Sequence, residues 1–169
     1  MIEALVAIVI LTIGVLGPLS VATRGISDGL YAQNQLTAMY LAQEGIEAVR
    51  VVIENNIKES SSLNWLRGLD DCLGSFGCTV EIAEGIVSVI NFSLCSSPGC
   101  TQAMAYTITG GGPGFYKLAP LGTHGFIRAV FVEPDGGSPS RAIVRSQITW
   151  QNKNISQHFE LRVHLYDQY

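Results

Sequence analysis

Apolar residues follow three different rules along this chain. Over residues 4–23 they ignore any period: no charge lies between Glu3 and Arg24, and every helical face is apolar. A helix buried on one side would carry a stripe instead. Roughly 20 such residues at about 1.5 Å each match the hydrocarbon thickness of a bilayer. The segment is therefore expected to span a membrane, or to pack among copies of itself in an equally dry core. Further on, Leu41, Ala42, Gly45, Ala48, Val49 and Val52 recur at steps of three and four, with Gln43, Glu44, Glu47, Arg50 and Glu54 mostly opposite them. That period predicts an amphipathic continuation of the helix, its stripe suited to packing on a sheet. Glu47 with Arg50, and Glu54 with Lys58, are spaced for weak same-helix pairs.

Asn55, Asn56 and the serines at 60–62 mark the end of the long helix. A short helix is expected over 63–69, and strands over 79–82, 86–92 and 105–109. Glycines and a proline at 110–114 predict a flexible loop, without the lysine and hydroxyl of a phosphate-binding loop. The clearest strands follow: 126–132, then 142–150 with Ala142, Val144, Ile148 and Trp150 on one face, then 155–165. In the last, Phe159, Leu161, Val163 and Leu165 point inward and His158, Glu160, Arg162 and His164 outward. The helix stripe and this one-sided sheet each need a cover, and each other is the simplest choice. The expected fold is α+β: a long hydrophobic N-terminal helix whose second half packs on an antiparallel β-sheet head. Its divisions are a membrane or filament-core segment at 1–24, the amphipathic continuation at 25–57 and a β-rich head at 58–169.

Composition narrows the function. Charged residues are 14% of the chain, hydrophobic ones 47%, and the net charge is −4. No basic surface points to nucleic acid. The cysteines form two tight groups, CLGSFGC at 72–78 and CSSPGC at 95–100. An even count favours disulfides in an exported domain. Three connectivities are open; the turn residues Gly74, Gly77, Pro98 and Gly99 favour Cys72–Cys78 and Cys95–Cys100. Zinc fits poorly, because the two pairs do not share the usual two-to-four-residue ligand gap: five residues separate one pair and four the other. Catalysis finds little support. His158 and His164 lie about 20 Å apart on an extended strand, and Asp70 with Asp71 falls short of the six or more oxygens calcium takes. No catalytic residue, metal or cofactor is expected. Asn91 and Asn154 begin glycosylation triplets.

The stretch MIEALVAIVILTIGVLG at 1–17 resembles the processed N-terminus of type IV pilins and of the pseudopilins of type II secretion: a few apolar residues, a Glu, then a uniformly hydrophobic helix. YLAQEGIEAVR at 40–50 resembles the second half of the long helix in the same family. Members usually carry two more residues ahead of the Glu, so either two residues precede Met1 or Met1 is not the processed end. The resemblance implies the long-helix-and-sheet fold and a structural subunit of a pilus or related filament. Minor pilin or pseudopilin is the near alternative, and a monomeric membrane-anchored β domain, an adhesin, the distant one. Implied partners are copies of the chain, the inner-membrane assembly machinery and a prepilin peptidase.

Several residues acquire roles from this resemblance. Glu3 is expected to pair with the N-terminus, at Met1, of a neighbouring subunit; read without the family, it offsets the helix dipole. Gly14, Gly17 and Pro18 weaken the helix, since Pro18 removes a hydrogen bond and crowds the preceding turn. Gly25 and Gly29 add a second soft point. In an isolated chain this predicts a kink; the family implies local melting inside a filament. Arg24 after the span would place the head in the cytoplasm by the positive-inside rule. The paired cysteines argue the reverse and carry more weight, because a cleaved basic leader would leave no trace. The chain is expected in the cytoplasmic membrane before assembly and in an extracellular filament after it.

Overall fold

The computed structural model describes residues 2–59, 64–83, 89–96, 99–107, 115–118, 125–136, 140–152 and 155–167. It is α+β, consistent with a pilin-like arrangement. The helix α1 (Ile2–Glu59) is followed by a 3-10 turn (Asp70–Cys72) and by antiparallel strands β1 (Cys78–Ala83), β2 (Val89–Leu94), β3 (Ala103–Thr107), β4 (Phe115–Leu118), β5 (Phe126–Pro134), β6 (Arg141–Asn152) and β7 (Ile155–Tyr166). The chain divides into two units, Met1–Thr37 and Ala38–Tyr169.

In the first unit every residue from 2 to 26 is exposed, whatever its polarity. The hydroxyls of Thr12 and Thr23 turn back to donate to Val9 O and Ser20 O at 2.9 and 3.0 Å. Side chains that satisfy themselves on their own helix leave its apolar surface unbroken. Pro18 lies inside α1.

In the second unit β5 is the hub. Its one edge pairs with β6 along eight residues, and β6 pairs with β7. Its other edge is shared end to end: Phe126 and Ile127 pair with β3, and Val130 with Cys78 of β1. Since β4 adds to β3 and β2 to β1, the sheet forks beside β5.

The buried residues of α1 meet the sheet in two clusters. One joins Ile46, Val49 and Ile53 to Val80, Val130, Val132, Ala142 and Val144. The other joins Ala38, Leu41 and Ala42 to Met104, Phe126, Ile148 and Trp150. Each fully buried aliphatic side chain is worth about 1.5–3 kcal/mol. Between the clusters stands one small or polar residue per element: Gly45 in α1, Arg128 in β5, Ser146 in β6.

The other face of β5 is covered too. Ala129 and Phe131 pack with Cys95 and Cys100. The two cysteine loops are tied together, Cys95 N donating to Gly77 O at 3.1 Å and Gly99 N to Phe76 O at 3.2 Å. Gly77 has φ +76°, and a Cβ there would meet the Phe131 ring at 2.7 Å. Only glycine satisfies both conditions.

Several boundaries differ from expectation. The helix continues to Glu59, and Asn56, expected to help end it, is buried with its amide donating to Trp65 O and Arg67 O at 3.0 and 2.8 Å. Residues 64–69 form turns rather than a helix: Asn64 Oδ1 accepts from Leu66 N, and Gly68 takes φ +81°. The stripe also includes Ile46 and Ile53, while Val52 is only half-buried. β3 begins two residues earlier than expected, β5 and β6 run two residues further, and β4 was not expected. Met1, the serines at 60–62, residues 86–88, 108–114 and 153–154 lie outside the described residues.

Candidate functional site

Among the described residues no three His, Cys, Asp or Glu side chains come together. His158 and His164 are exposed on β7, and Asp70 and Asp71 are exposed at the 3-10 turn. An open cleft of about 530 Å³ beside α1 and β7 is lined by Ile53, Ile57, Leu165 and Tyr166 among others. Arg50, Glu54, Lys58 and His164 complete the lining, and among the described residues no ion pair joins Glu54 to His164.

The surface that can act is the first part of α1. It is long and apolar enough to cross a membrane. Glu3 stands exposed in its first turn, where a carboxylate offsets the positive end of the dipole. Gly14 and Gly17 have open space where a Cβ would project. Met1 lies outside the described residues.

The cysteines pair with their near neighbours: Cys72 with Cys78 and Cys95 with Cys100, at Cα–Cα distances of 4.7 and 4.9 Å. The two loops sit side by side at the open end of the β1–β2 hairpin, Cys72 and Cys78 in the core that faces α1 and Cys95 and Cys100 on the outer face of β5. Changing Cys95 and Cys100 together to serine is expected to cost about 2 kcal/mol, the value for so short a loop. Denaturation of the non-reduced protein, read with limited proteolysis around residue 100, checks this. Faster cleavage there with α1 intact is the expected pattern.

The head holds one site that sequence reasoning missed. Arg128 is buried, and its guanidinium reaches three acceptors on two elements, α1 and β1. Nη1 donates to Leu41 O and Glu44 Oε2, each at 3.1 Å, and Nη2 donates to Val80 O at 2.7 Å. Val80 lies where β1 has left the ladder with β5, so the guanidinium takes up a carbonyl that the fork frees. Burial pushes the Arg128 guanidinium below its usual pKa, and attraction and hydrogen bonding from Glu44 offset part of that. Gly45 makes the space: a Cβ there would meet Ser146 Oγ at 2.8 Å and Arg128 Cδ at 3.2 Å. Ser146 Oγ and Arg128 Nε are buried without a hydrogen-bond partner. The available signal was phase, since Arg128 falls in step with Phe126, Val130 and Val132.

On the exposed face of the sheet, Arg145 bridges Glu133 and Glu160 at 3.0 and 3.3 Å and lies over the Phe131 ring. Burial alone would raise the Glu160 carboxyl; hydrogen bonds from Arg162 and Arg145 outweigh it and hold the group below its usual value. These charges pair with one another on the sheet surface.

No protein-family model, curated protein or solved structure matches the chain.

Proposed function

We propose that this chain is a structural, non-enzymatic subunit of a type IV pilus or closely related filament. The observation that carries the reading is the exposed run from residue 2 to 26, apolar on every face between Glu3 and Arg24 and belonging to a chain with a disulfide-bonded antiparallel head. Single exposed hydrophobics need no explanation, but a surface of this extent does. A bilayer covers it before assembly, and the same surfaces of neighbouring copies cover it afterwards. The two disulfides support a head outside the cytoplasm. By the resemblance, a prepilin peptidase and the membrane assembly machinery handle the chain on the way.

Electron microscopy of sheared cell-surface material, with mass spectrometry of the fibres, tests the reading. Abundant regular fibres of this chain support a main subunit. Trace amounts in fibres of another chain support a minor pilin or pseudopilin. A chain found only as a membrane monomer removes the filament reading and leaves an anchored domain.

Glu3 supplies the sharper prediction. With Glu3→Ala the head should fold and the chain insert, because neither depends on that carboxylate. Incorporation into fibres should fall at least about tenfold, since a neighbour's buried cation then loses its counter-charge. The measurement is subunit content of fibres per membrane-inserted chain. Unchanged incorporation would leave Glu3 with its dipole role alone.

A further inference from the structure

We infer that Glu3 of one copy pairs with Arg24 of a parallel neighbour displaced by about 32 Å along the helix axis. This rests on the filament reading and adds an axial register to it.

Glu3 and Arg24 bracket the uncharged stretch 4–23. Both are exposed on α1, and among the described residues neither has a hydrogen-bond or ion-pair partner. Packing the apolar surface of α1 against copies of itself removes water from both. A carboxylate or guanidinium desolvated alone costs several kcal/mol, and each is the counter-charge the other needs. Within the chain Arg24 has one near acid, Asp28, one turn later. That order, cation before anion at four-residue spacing, is the weaker one on a helix, and the two make no contact.

The geometry is that of α1 continuous through Pro18, as in the structure; melting there would lengthen the interval and leave the pairing itself unchanged. Twenty-one positions on α1 amount to about 32 Å of rise. At about 100° per residue the same interval brings Glu3 and Arg24 to within about 60° of each other around the axis. Two long side chains so placed reach neighbours on one flank of the helix. Helices wound about a common axis meet in that way, and helices in a flat row do not.

The contact is also directional. Each chain offers Glu3 to a copy on one side and Arg24 to a copy on the other, so parallel chains cannot close it by twos. A head-to-tail contact of this kind propagates. Antiparallel chains would satisfy the same two residues without displacement and stop at a dimer, but chains inserted in one membrane with the same topology cannot adopt that arrangement. Glu3 can still serve a neighbour's terminal ammonium, since a carboxylate has two acceptor oxygens. The interval between Glu3 and Arg24 is the same wherever the mature chain begins.

The test uses the full chain in cells. All four native cysteines are in disulfides, so thiols introduced by Glu3→Cys and Arg24→Cys together are the reactive ones. Mild oxidation of fibres containing this variant and wild-type chains should give a ladder extending beyond dimers. Dimers alone indicate the antiparallel pair and overturn the proposal; fibres that contain the variant without cross-links also overturn it. Charge exchange covers the case in which the cysteine variant fails to enter fibres. Glu3→Arg and Arg24→Glu should each lower incorporation by about a hundredfold, and the double exchange should restore most of it. Normal incorporation of Arg24→Glu alone, or no recovery in the double exchange, overturns the proposal. A wild-type chain that forms no fibres removes the parent reading, and this contact with it.

Discussion

Replacing Arg128 by alanine is expected to lower the stability of the head by about 3–5 kcal/mol, the loss typical of breaking a buried charge pair from one side. Three acceptors lose their donor at once: Leu41 O, Val80 O and the Glu44 carboxylate. They do not weigh equally. Glu44 is partly exposed, with 37% of its side chain accessible, and can return to water. Leu41 O keeps the bond of its own helix. Val80 O is left at the fork with no strand amide opposite it, and an unsatisfied buried carbonyl costs about 1–3 kcal/mol. The space vacated by the side chain adds a cavity term.

Two further variants separate these contributions. Arg128→Met keeps the length of the side chain and removes the buried charge, so its loss should be smaller than that of alanine. Glu44→Gln should cost about 1 kcal/mol, because Arg128 retains both carbonyls. Chemical denaturation of the full chain in detergent, followed by the fluorescence of the buried Trp65 and Trp150, measures all three. A loss below 1 kcal/mol for Arg128→Ala would show that the fork is held by packing alone.

Gly45→Leu should be of similar size, about 3 kcal/mol or more, for the opposite reason: too many atoms between α1 and the sheet. Even a methyl is tight. In Gly45→Ala the new Cβ would stand 2.8 Å from Ser146 Oγ and 3.2 Å from both Arg128 Cδ and Val130 Cγ2. Overpacking costs about 1–3 kcal/mol and the gain in helix propensity returns about 1 kcal/mol, which leaves a modest net loss. The atom in the way is itself unpartnered. Ser146→Ala should therefore be close to neutral alone, and should recover most of the Gly45→Ala loss in the double variant. A double-mutant cycle reads the coupling directly. Simple additivity would mean that the helix shifts away from the sheet instead of pressing on Ser146.

These residues also show where a linear reading stops. The apolar run at 4–23 was legible because no charge interrupts it on any helical face, and the stripe from Leu41 to Val49 because it recurs at steps of three and four. β6 and β7 were legible because Ala142, Val144, Ile148 and Trp150 keep one phase, interrupted only by Ser146, and Phe159 to Leu165 alternate with polar residues. Gly45 was placed on the stripe, yet nothing local says that it faces an arginine 83 positions away. Arg128 stood inside an expected strand whose inward phase was otherwise apolar, and the run of hydrophobic neighbours hid it. β4 was missed because its four residues are too few for a period to register. The pairing of β5 with both β3 and β1 depends on which distant strands meet, which no window contains. The spacing of Cys95 and Cys100 predicts a turn, and nothing in that spacing tells that the pair covers Ala129 and Phe131 and gives β5 a second buried face.

The bond between Arg128 and Glu44 joins residues 84 positions apart in the chain. A ribosome adds about 5–20 residues per second, so about 4–17 s separate the two residues during synthesis. Through that interval the helix stripe from Leu41 to Ile53 exists without the strands that cover it. The hub strand itself arrives after β1 to β4, so each earlier hairpin must wait for it before joining a common sheet. Closure of the head is thus a late, long-range event, of the kind that slows folding and exposes sticky surface. The order of synthesis makes the apolar segment available first and the head last, and a chain interrupted anywhere before Arg128 has that segment without the bonds that tie β5 to α1 and β1.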